Sequence, residues 1–133
     1  KDSAAGRNLS LFVQEDYHDG ELKISASQDD IVRVFVNLFE NAAKAMDFQG
    51  TLSVETKKEN NFAIIKVRDT GCGIPEDYLE KIWRPDYTKW EGQQGTGLGL
   101  MICKKVIENH GGEITVQSQV NEGTTFIIKL KTI

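Results

Sequence analysis

The sequence predicts an α+β fold, a two-layer α/β sandwich in which a mixed, mostly antiparallel sheet is covered on one face by helices. Short segments with alternating apolar residues recur along the chain, whereas only two longer segments carry apolar residues at helical spacing. The strand-like segments tend to follow one another in hairpin-like pairs and do not alternate regularly with helices. With 133 residues, the chain is expected to form one domain that spans residues 1–133.

The N-terminal part predicts two strands followed by a long helix. Apolar and polar residues alternate on both sides of an expected turn at Tyr17-His18-Asp19-Gly20, through Leu9, Leu11 and Val13 and again through Leu22, Ile24 and Ala26. Ser27 or Asp29 is positioned to cap a helix that runs to about Met46. Its expected apolar face comprises Ile31, Phe35, Leu38, Ala42 and Ala45, and its polar flank comprises Arg33, Asn37, Glu40, Asn41 and Lys44.

The rest of the chain predicts a hairpin, a short helix, a second long helix and another hairpin. The first hairpin joins Leu52–Thr56 to Phe62–Val67 through a charged turn, and its second strand is the more apolar and therefore the more central. Pro75 is expected to begin a short helix that continues to about Trp83. The last elements are a helix at 98–109 that ends at His110-Gly111-Gly112, and strands at 113–118 and 124–130.

The bulk composition argues against several classes of function. A formal net charge of −4 argues against a nucleic-acid partner, which would require a basic surface. The apolar runs are far shorter than a membrane span, so we expect no membrane insertion by this domain and a cytoplasmic location. Cys72 and Cys103 match no metal-binding spacing and are interpreted as reduced packing residues. Because the first residue is Lys and not Met, we expect that the chain was cut from a longer protein.

The stretch from Arg84 to Cys103 predicts an anion-binding site. Gly95, Gly97 and Gly99 lead directly into the second long helix, so their backbone would bring a phosphate close to the free N–H groups of a helix N-terminus. The pattern is not a Walker A loop, because Leu98 follows Gly97 where such a loop requires Lys. A glycine-spaced loop can also serve as a hinge, so the pattern alone leaves two interpretations: a structural hinge, or a site for a nucleotide triphosphate that is held by another scheme.

Four segments, taken together, resemble the ATP-binding catalytic domain of sensor histidine kinases. They are Asn37-Leu38-Phe39-Glu40-Asn41-Ala42-Ala43-Lys44, Asp69-Thr70-Gly71-Cys72-Gly73-Ile74-Pro75, Ile82-Trp83-Arg84-Pro85 with Tyr87-Thr88-Lys89, and Gly95-Thr96-Gly97-Leu98-Gly99-Leu100. That family shares its fold with the gyrase ATPase subunit and the MutL repair protein. The resemblance therefore implies a Bergerat-type ATP-binding fold, with ATP and Mg²⁺ as its ligands.

The resemblance gives specific roles to residues of the first two segments. It implies that Asn41 supplies an amide oxygen to Mg²⁺, that Asn37 contacts the nucleotide and that Lys44 reaches the triphosphate. Asp69 matches the carboxylate that accepts a hydrogen bond from the adenine amino group. The loop that follows is expected to pass close beneath the base at Gly71 and Gly73, with Ile74 as an apolar wall against the ring.

The resemblance also implies a lid and a phosphate loop. The lid corresponds to about residues 84–95, where Lys89 is expected to contact the nucleotide, and the phosphates are expected to lie against Gly95, Thr96, Gly97, Leu98 and Gly99. Arg84 and Asp86 replace the Glu and Phe that are usual in this part of the family, and Ala45 stands where many members place an aromatic residue. Lid closure and stacking on the base are therefore expected to depart most from the family pattern.

The same segments favour phosphotransfer over hydrolysis. In the gyrase-type relatives, a glutamate that activates water stands at the position of Asn37, and an amide cannot accept the proton. Glu40 is expected to orient or deprotonate an incoming imidazole, and with Asn41 and Lys44 it makes up the predicted catalytic set. Neither His18 nor His110 has the sequence context of a phosphoacceptor. The acceptor is therefore expected on a dimerisation and phosphoacceptor histidine domain outside this chain, with a response regulator as an indirect partner.

Three functions remain open on the sequence alone. The first is the catalytic domain of a protein-histidine kinase in two-component signal transduction. In this case the domain itself is expected to be monomeric, and a membrane anchor on its parent protein is compatible with the sequence. The second is an anti-sigma-type serine kinase, which uses the same four segments as a free-standing protein. The third is a non-catalytic ATP-sensing interaction module, in which the lid changes shape with the nucleotide.

Overall fold

The structure, a computed structural model, describes residues 10–17, 23–24, 26–47, 49–84 and 99–133. Within these ranges, two α-helices and five strands follow in the order β1 (Ser10–Asp16), α1 (Gln28–Ala45), β2 (Gln49–Glu59), β3 (Phe62–Asp69), α2 (Gly99–Asn109), β4 (Glu113–Gln119) and β5 (Gly123–Lys131). Two single turns of 3-10 helix, Glu76–Tyr78 and Lys81–Trp83, follow β3.

The five strands form one sheet in the order β1-β2-β3-β5-β4. β1 lies parallel to β2, and the other three neighbouring pairs are antiparallel. The predicted α+β fold with a mixed, mostly antiparallel sheet is therefore confirmed. β3 lies at the centre of the sheet, as its apolar composition predicts.

One apolar core joins both helices to one face of the sheet. The register places Val67 opposite Phe126 and Ile65 opposite Ile128, so these side chains share the face on which the helices pack. The fully or nearly fully buried residues of the helices are Val34, Leu38 and Ala42 of α1 and Cys103 and Ile107 of α2. α1 is therefore rotated relative to the predicted face, since Val34 is buried while Ile31 and Phe35 are only partly buried.

α1 begins and α2 ends where the local sequence predicts. The backbone N–H of Asp30 donates to the Ser27 hydroxyl at 3.4 Å, which makes Ser27 the N-cap of α1. After α2, Gly111 adopts a φ of +75° and the N–H of Gly112 donates to Ile107 O at 2.9 Å. This left-handed ending closes the helix as the double glycine predicts.

Local structure differs from the prediction in three places. Of the expected strand at 22–26, Ile24 forms an isolated antiparallel bridge with Thr132, while Ala26 lies outside any strand. β2 continues to Glu59, because the ladder with β3 persists until a two-residue turn at Asn60-Asn61, where Asn60 has a φ of +56°. The short helix predicted after Pro75 is divided into the two 3-10 turns.

Neither helix of the described residues combines the length and the apolarity that are needed to cross a membrane.

Candidate active site

Asp69, the last residue of β3, has a buried carboxylate with 4% of its surface exposed. Its Oδ1 accepts a hydrogen bond of 2.8 Å from the backbone N–H of Gly71, and the backbone of Thr124 makes a second one. Burial raises the pKa of Asp69 above its ordinary value, and the two backbone hydrogen bonds offset part of this rise. A carboxyl group kept in such surroundings is typical of a binding site.

The loop after Asp69 is packed tightly between α1 and the end of β4. The N–H of Cys72 donates to Ala45 O at 3.1 Å, and a Cβ on Gly71 would lie 2.7 Å from that same carbonyl oxygen. Gly73 has a φ of +77°, and a Cβ there would lie 2.2 Å from Gln119 O. The two glycines are thus required by the packing of the protein itself. Their predicted approach to the base stays a prediction.

Ser118 connects this loop to the β4–β5 hairpin. Its hydroxyl accepts a hydrogen bond of 2.7 Å from the N–H of Ile74, lies 2.8 Å from the Thr124 hydroxyl and donates to Gly123 O at 3.0 Å. Ile74 is 6% exposed and belongs to the core. Thr124 is 4% exposed and is the register partner of Asp69. These hydrogen bonds therefore connect the loop after Asp69 to Thr124, the residue that pairs with Asp69 in the sheet.

The polar flank of α1 carries two half-buried amides. Asn37 and Asn41 are half-buried, whereas Glu40 and Lys44 are exposed, in agreement with the predicted amphipathic pattern. Since Ala45 contacts the loop after Asp69, Asn41 lies one helical turn before that contact and Asn37 two turns before it.

Asn37 lies beside the N-terminus of α2. A Cβ on Gly99, the first residue of α2, would lie 3.4 Å from Asn37 Oδ1. The Asn37 side chain also hydrogen-bonds Cys103, and burial raises the pKa of the Cys103 thiol to about 11. Cys103 is therefore a protonated packing residue at neutral pH, as the sequence predicts.

The segment that precedes the predicted lid is anchored by aromatic contacts. The rings of Trp83 and Phe126 meet edge to face with centroids 6.0 Å apart, and Lys104 Nζ lies 5.2 Å from the Trp83 ring centroid. Arg84 is the last described residue before the gap. Lys89, Gly95, Thr96, Gly97 and Leu98, all predicted to contact the nucleotide, lie outside the described residues.

The loop that follows the buried acceptor Asp69 thus contacts the C-terminal end of α1, and the amide of Asn37 on the same helix lies beside the glycine at the start of α2. Residues 26–132 match the family model described as "Histidine kinase-, DNA gyrase B-, and HSP90-like ATPase". The chain belongs to this family of ATPases. This histidine kinase-like ATPase domain is 38% identical over 110 residues to the sensor protein SrrB of Staphylococcus aureus (strain NCTC 8325 / PS 47). The match covers 80% of the chain and 19% of SrrB, so the domain spans about a fifth of the length of that relative.

Solved structures of histidine kinases have the same fold as this ATPase domain. The catalytic domain of the histidine kinase ThkA superposes with a TM-score of 0.79 and 33% identity, over 91% of this chain and 78% of that one. ThkA in complex with the response regulator protein TrrA superposes with a TM-score of 0.76 and 26% identity, over 92% of this chain and 34% of that one.

The donor set of this ATPase domain fits a nucleotide-borne Mg²⁺. The described part of the chain contains no cluster of three or more His, Cys, Asp or Glu side chains that would hold a metal unaided. The half-buried amide of Asn41 offers one hard oxygen, which suffices when the remaining ligands are waters and phosphate oxygens. The residues therefore fit Mg²⁺ only together with a phosphorylated ligand.

Sequence reasoning did not single out Ser118 and Thr124, which the structure brings to the candidate site. Both occupy inward-facing positions of their strands, in rows that are otherwise apolar: Ile114 and Val116 precede Ser118, and Phe126 and Ile128 follow Thr124. The signal was a polar residue in each row where the alternation predicts an apolar one.

Proposed function

We propose that this domain, residues 1–133, binds Mg-ATP and donates the γ-phosphoryl group to a histidine on a dimerisation and phosphoacceptor domain outside this chain. The observation that carries the proposal is the buried Asp69, joined through Gly71 to Ala45 at the end of α1. That helix presents Asn41 one turn before Ala45 and Asn37 two turns before it. The ATPase family to which the chain belongs, and its resemblance to sensor proteins, support ATP as the ligand.

Asp69 is proposed to select adenine. Its carboxylate is fixed by backbone hydrogen bonds and carries remaining acceptor capacity, which suits the exocyclic amino group of adenine. Guanine would place a carbonyl oxygen against this acceptor. Because Asp69 is held by backbone and not by a flexible side chain, the acceptor is already oriented before the nucleotide arrives.

The helix flank is proposed to hold the phosphates. Asn41 would give its amide oxygen to Mg²⁺, and the exposed Lys44 would place its ammonium group near the triphosphate. A bound Mg²⁺ supplies neutralisation of the charge on the phosphate oxygens. Gly99 opens α2, and with Gly95, Thr96, Gly97 and Leu98 it would offer backbone N–H groups to the phosphates. The lid at about 84–95, including Lys89, is proposed to close over them.

Asn37 supports transfer to a protein nucleophile over hydrolysis. Its amide has no basic site and its side chain is engaged with Cys103 beside the start of α2, so it cannot take a proton from water. Glu40 is exposed on the same helix and is proposed to act on an imidazole that arrives from outside the domain. The exposed position suits a group whose partner belongs to another domain.

The partners follow from this assignment. A dimerisation and phosphoacceptor histidine domain of the parent protein would receive the phosphoryl group and would pass it to a response regulator in a two-component system. The complex of ThkA with the response regulator TrrA supports this order of partners. We propose a cytoplasmic, monomeric domain within a sensor protein whose remaining parts lie outside this chain.

The test is transfer from radiolabelled ATP, with Mg²⁺ present, to a separately produced dimerisation fragment of the parent protein. We expect acid-labile, base-stable label on that fragment and none on the ATPase domain. Acid-stable label on a serine would replace the proposal with a serine kinase. Intact ATP binding without transfer would replace it with an ATP-sensing module.

A further inference from the structure

We infer that Cys103 is a positioning residue for the nucleotide site, whose thiol determines which atom of the Asn37 amide faces the start of α2. The inference deepens the proposed function and rests on it, because Asn37 belongs to the proposed site. Cys103 lies on α2, is fully buried, and makes its side-chain contacts with α1 across the interface between the two helices.

The thiol of Cys103 bridges two groups of α1. It donates to Val34 O at 3.6 Å, and the side chain of Asn37 hydrogen-bonds the same sulfur. Val34 O is a carbonyl oxygen and can only accept, so the single thiol proton is used there. Because burial raises the pKa of Cys103 to about 11, that proton is present at neutral pH. The sulfur can then only accept from Asn37, which must meet it with an N–H of its amide nitrogen Nδ2.

The start of α2 requires the same orientation of the amide. Asn37 Oδ1 is the atom closest to where a Cβ on Gly99 would lie, at 3.4 Å, and Asn37 Cγ follows at 3.6 Å. The first turn of a helix has backbone N–H groups without partners in the helix, so an acceptor is favourable there, whereas an amide nitrogen would set donor against donor. The nitrogen of Asn37 therefore faces Cys103 and its oxygen faces the start of α2.

This orientation favours a nucleotide that carries its metal ion. Phosphate oxygens are acceptors, so Asn37 Oδ1 cannot hydrogen-bond them, but it can accept from a water molecule on a nucleotide-borne Mg²⁺. Asn41, one turn later on the same helix, is proposed to give its own oxygen to the metal ion. With the amide reversed, Nδ2 of Asn37 would donate to a phosphate directly and would need no metal. Cys103 thus disfavours the binding of metal-free nucleotide.

The experiment is calorimetric titration of the 133-residue chain with ATP in Mg²⁺ and with ATP in EDTA. We expect Cys103→Ala and Cys103→Val to lower the ratio of Mg-ATP affinity to metal-free ATP affinity by about three- to tenfold, the value of one neutral hydrogen bond. Cys103→Ser retains a donor and an acceptor and should keep the parent ratio. In an Asn37→Ala background, Cys103→Ala should change the ratio little, because the two residues act together.

Hydrogen exchange of the Asn37 side-chain amide, followed by NMR in the nucleotide-free chain, reports the same contact without a ligand. The Nδ2 proton that is bound to sulfur should exchange slowly in the parent and in Cys103→Ser, and faster in Cys103→Ala. The matched control is Ile107→Val, which leaves a small cavity at a fully buried position one turn further along α2. It should lower stability but leave both the affinity ratio and the exchange of the amide unchanged.

Thermal unfolding checks that each variant is folded, and Cys103→Val, which fills the space of the thiol, replaces Cys103→Ala if the latter does not fold. An affinity ratio that stays at the parent value in the Cys103 variant without a donor would overturn the inference. Exchange of the Asn37 amide that does not change in that variant would overturn it as well. If the parent binds ATP in neither condition, the proposed function fails, and the exchange of the amide still tests how Cys103 holds Asn37.

Discussion

The N–H of Gly71 donates to the carboxylate of Asp69 at 2.8 Å. The backbone therefore forms a turn around this buried carboxylate immediately after β3. Asp69 is 4% exposed and Gly71 is buried against Ala45 of α1. Because burial disfavours the charged form, the ionised carboxylate is held at a cost to stability. The raised pKa, the tight loop and the proposed adenine contact are thus consequences of one local arrangement.

The raised pKa of Asp69 predicts a specific pH dependence of stability. Below the unfolded-state pKa of about 3.9, Asp69 is protonated in both states and its contribution to stability is fully present. That contribution is lost as the pH rises through the raised folded-state pKa. The free energy of unfolding of the parent should therefore fall relative to that of Asp69→Asn as the pH rises above about 4.

Urea titrations of both proteins across this range measure the difference, in which the titration of the other carboxylates cancels. Asp77→Asn, at an exposed position in the 3-10 turn that follows, is the control and should show no comparable trend. A parent that gains stability relative to Asp69→Asn as the pH rises would contradict the assigned direction.

Gly99→Ala should affect ATP affinity without lowering the stability of the fold. A Cβ at this position meets Asn37 Oδ1 at 3.4 Å, and Ala is favoured over Gly in a helix, so the free energy of unfolding should stay constant or rise by up to about 1 kcal/mol. If the backbone here approaches a phosphate, ATP affinity should fall roughly tenfold or more. Calorimetry and chemical unfolding measure the two quantities.

Gly73→Ala is the comparison for Gly99→Ala. It should cost about 2 kcal/mol or more of stability, because φ is +77° and a Cβ would lie 2.2 Å from Gln119 O. Unchanged ATP affinity in a stable Gly99→Ala variant would remove Gly99 from the phosphate site.

Glu40→Gln should slow phosphotransfer while ATP affinity stays nearly constant. Glu40 is exposed on α1 and adjoins Asn41, so the substitution removes a proton acceptor without altering a buried contact. Single-turnover transfer to the dimerisation fragment and ATP titration are compared on the same preparation. A parallel loss of affinity and rate would show that Glu40 acts in binding and not on the imidazole.

His110→Ala should lower stability without affecting the nucleotide. His110 Nδ1 lies 2.7 Å from Val106 O, to which it donates, and Nε2 accepts from the N–H of Ser27 at 3.2 Å, so the ring ties the end of α2 to the start of α1. We expect a loss of about 1–2 kcal/mol in the free energy of unfolding. α2 runs 11 residues from Gly99 to Asn109, which places His110 about 16 Å from the proposed phosphate site.

ATP affinity and labelling of the dimerisation fragment should therefore equal those of the parent. Asn109→Ala, at the exposed neighbouring position, serves as the control for stability. Abolition of transfer in a stably folded His110→Ala variant would make His110 part of the reaction and not of the scaffold.

Features with local causes were predictable from the sequence. The N-cap at Ser27, the left-handed end of α2 at Gly111 and the two antiparallel hairpins depend on a few neighbouring residues. The parallel pairing of β1 with β2 and the bridge of Ile24 with Thr132 join distant segments, so no local pattern specifies them. The rotation of α1 that buries Val34 depends in the same way on where the sheet and α2 lie.

The candidate site also contains residues that local motifs identify and residues that only the strand pairing brings in. Asn37, Asn41 and Asp69 stand in motifs and were identified from the chain. Ser118 and Thr124 join the site only through the register of β4 with β5 and of β3 with β5. The sequence analysis explained the glycine at position 73 by a close approach of the backbone to a base. The structure gives a second reason, because the backbone at Gly73 packs against Gln119 at the end of β4, and no local sequence pattern predicts this contact.

The central claim is that the Asp69 carboxylate binds the amino group of adenine, and it is tested by pairing a substitution with a change in the ligand. Calorimetry would compare the parent and Asp69→Asn, each titrated with Mg-ATP and with purine riboside triphosphate, which lacks only the 6-amino group. We expect the parent to bind purine riboside triphosphate about ten- to a hundredfold more weakly than it binds ATP. Asp69→Asn should bind ATP about as weakly as the parent binds the analogue, and it should lose little further affinity when the analogue replaces ATP. An Asp69→Asn variant that binds ATP as tightly as the parent, or that still discriminates fully between the two nucleotides, would contradict the account.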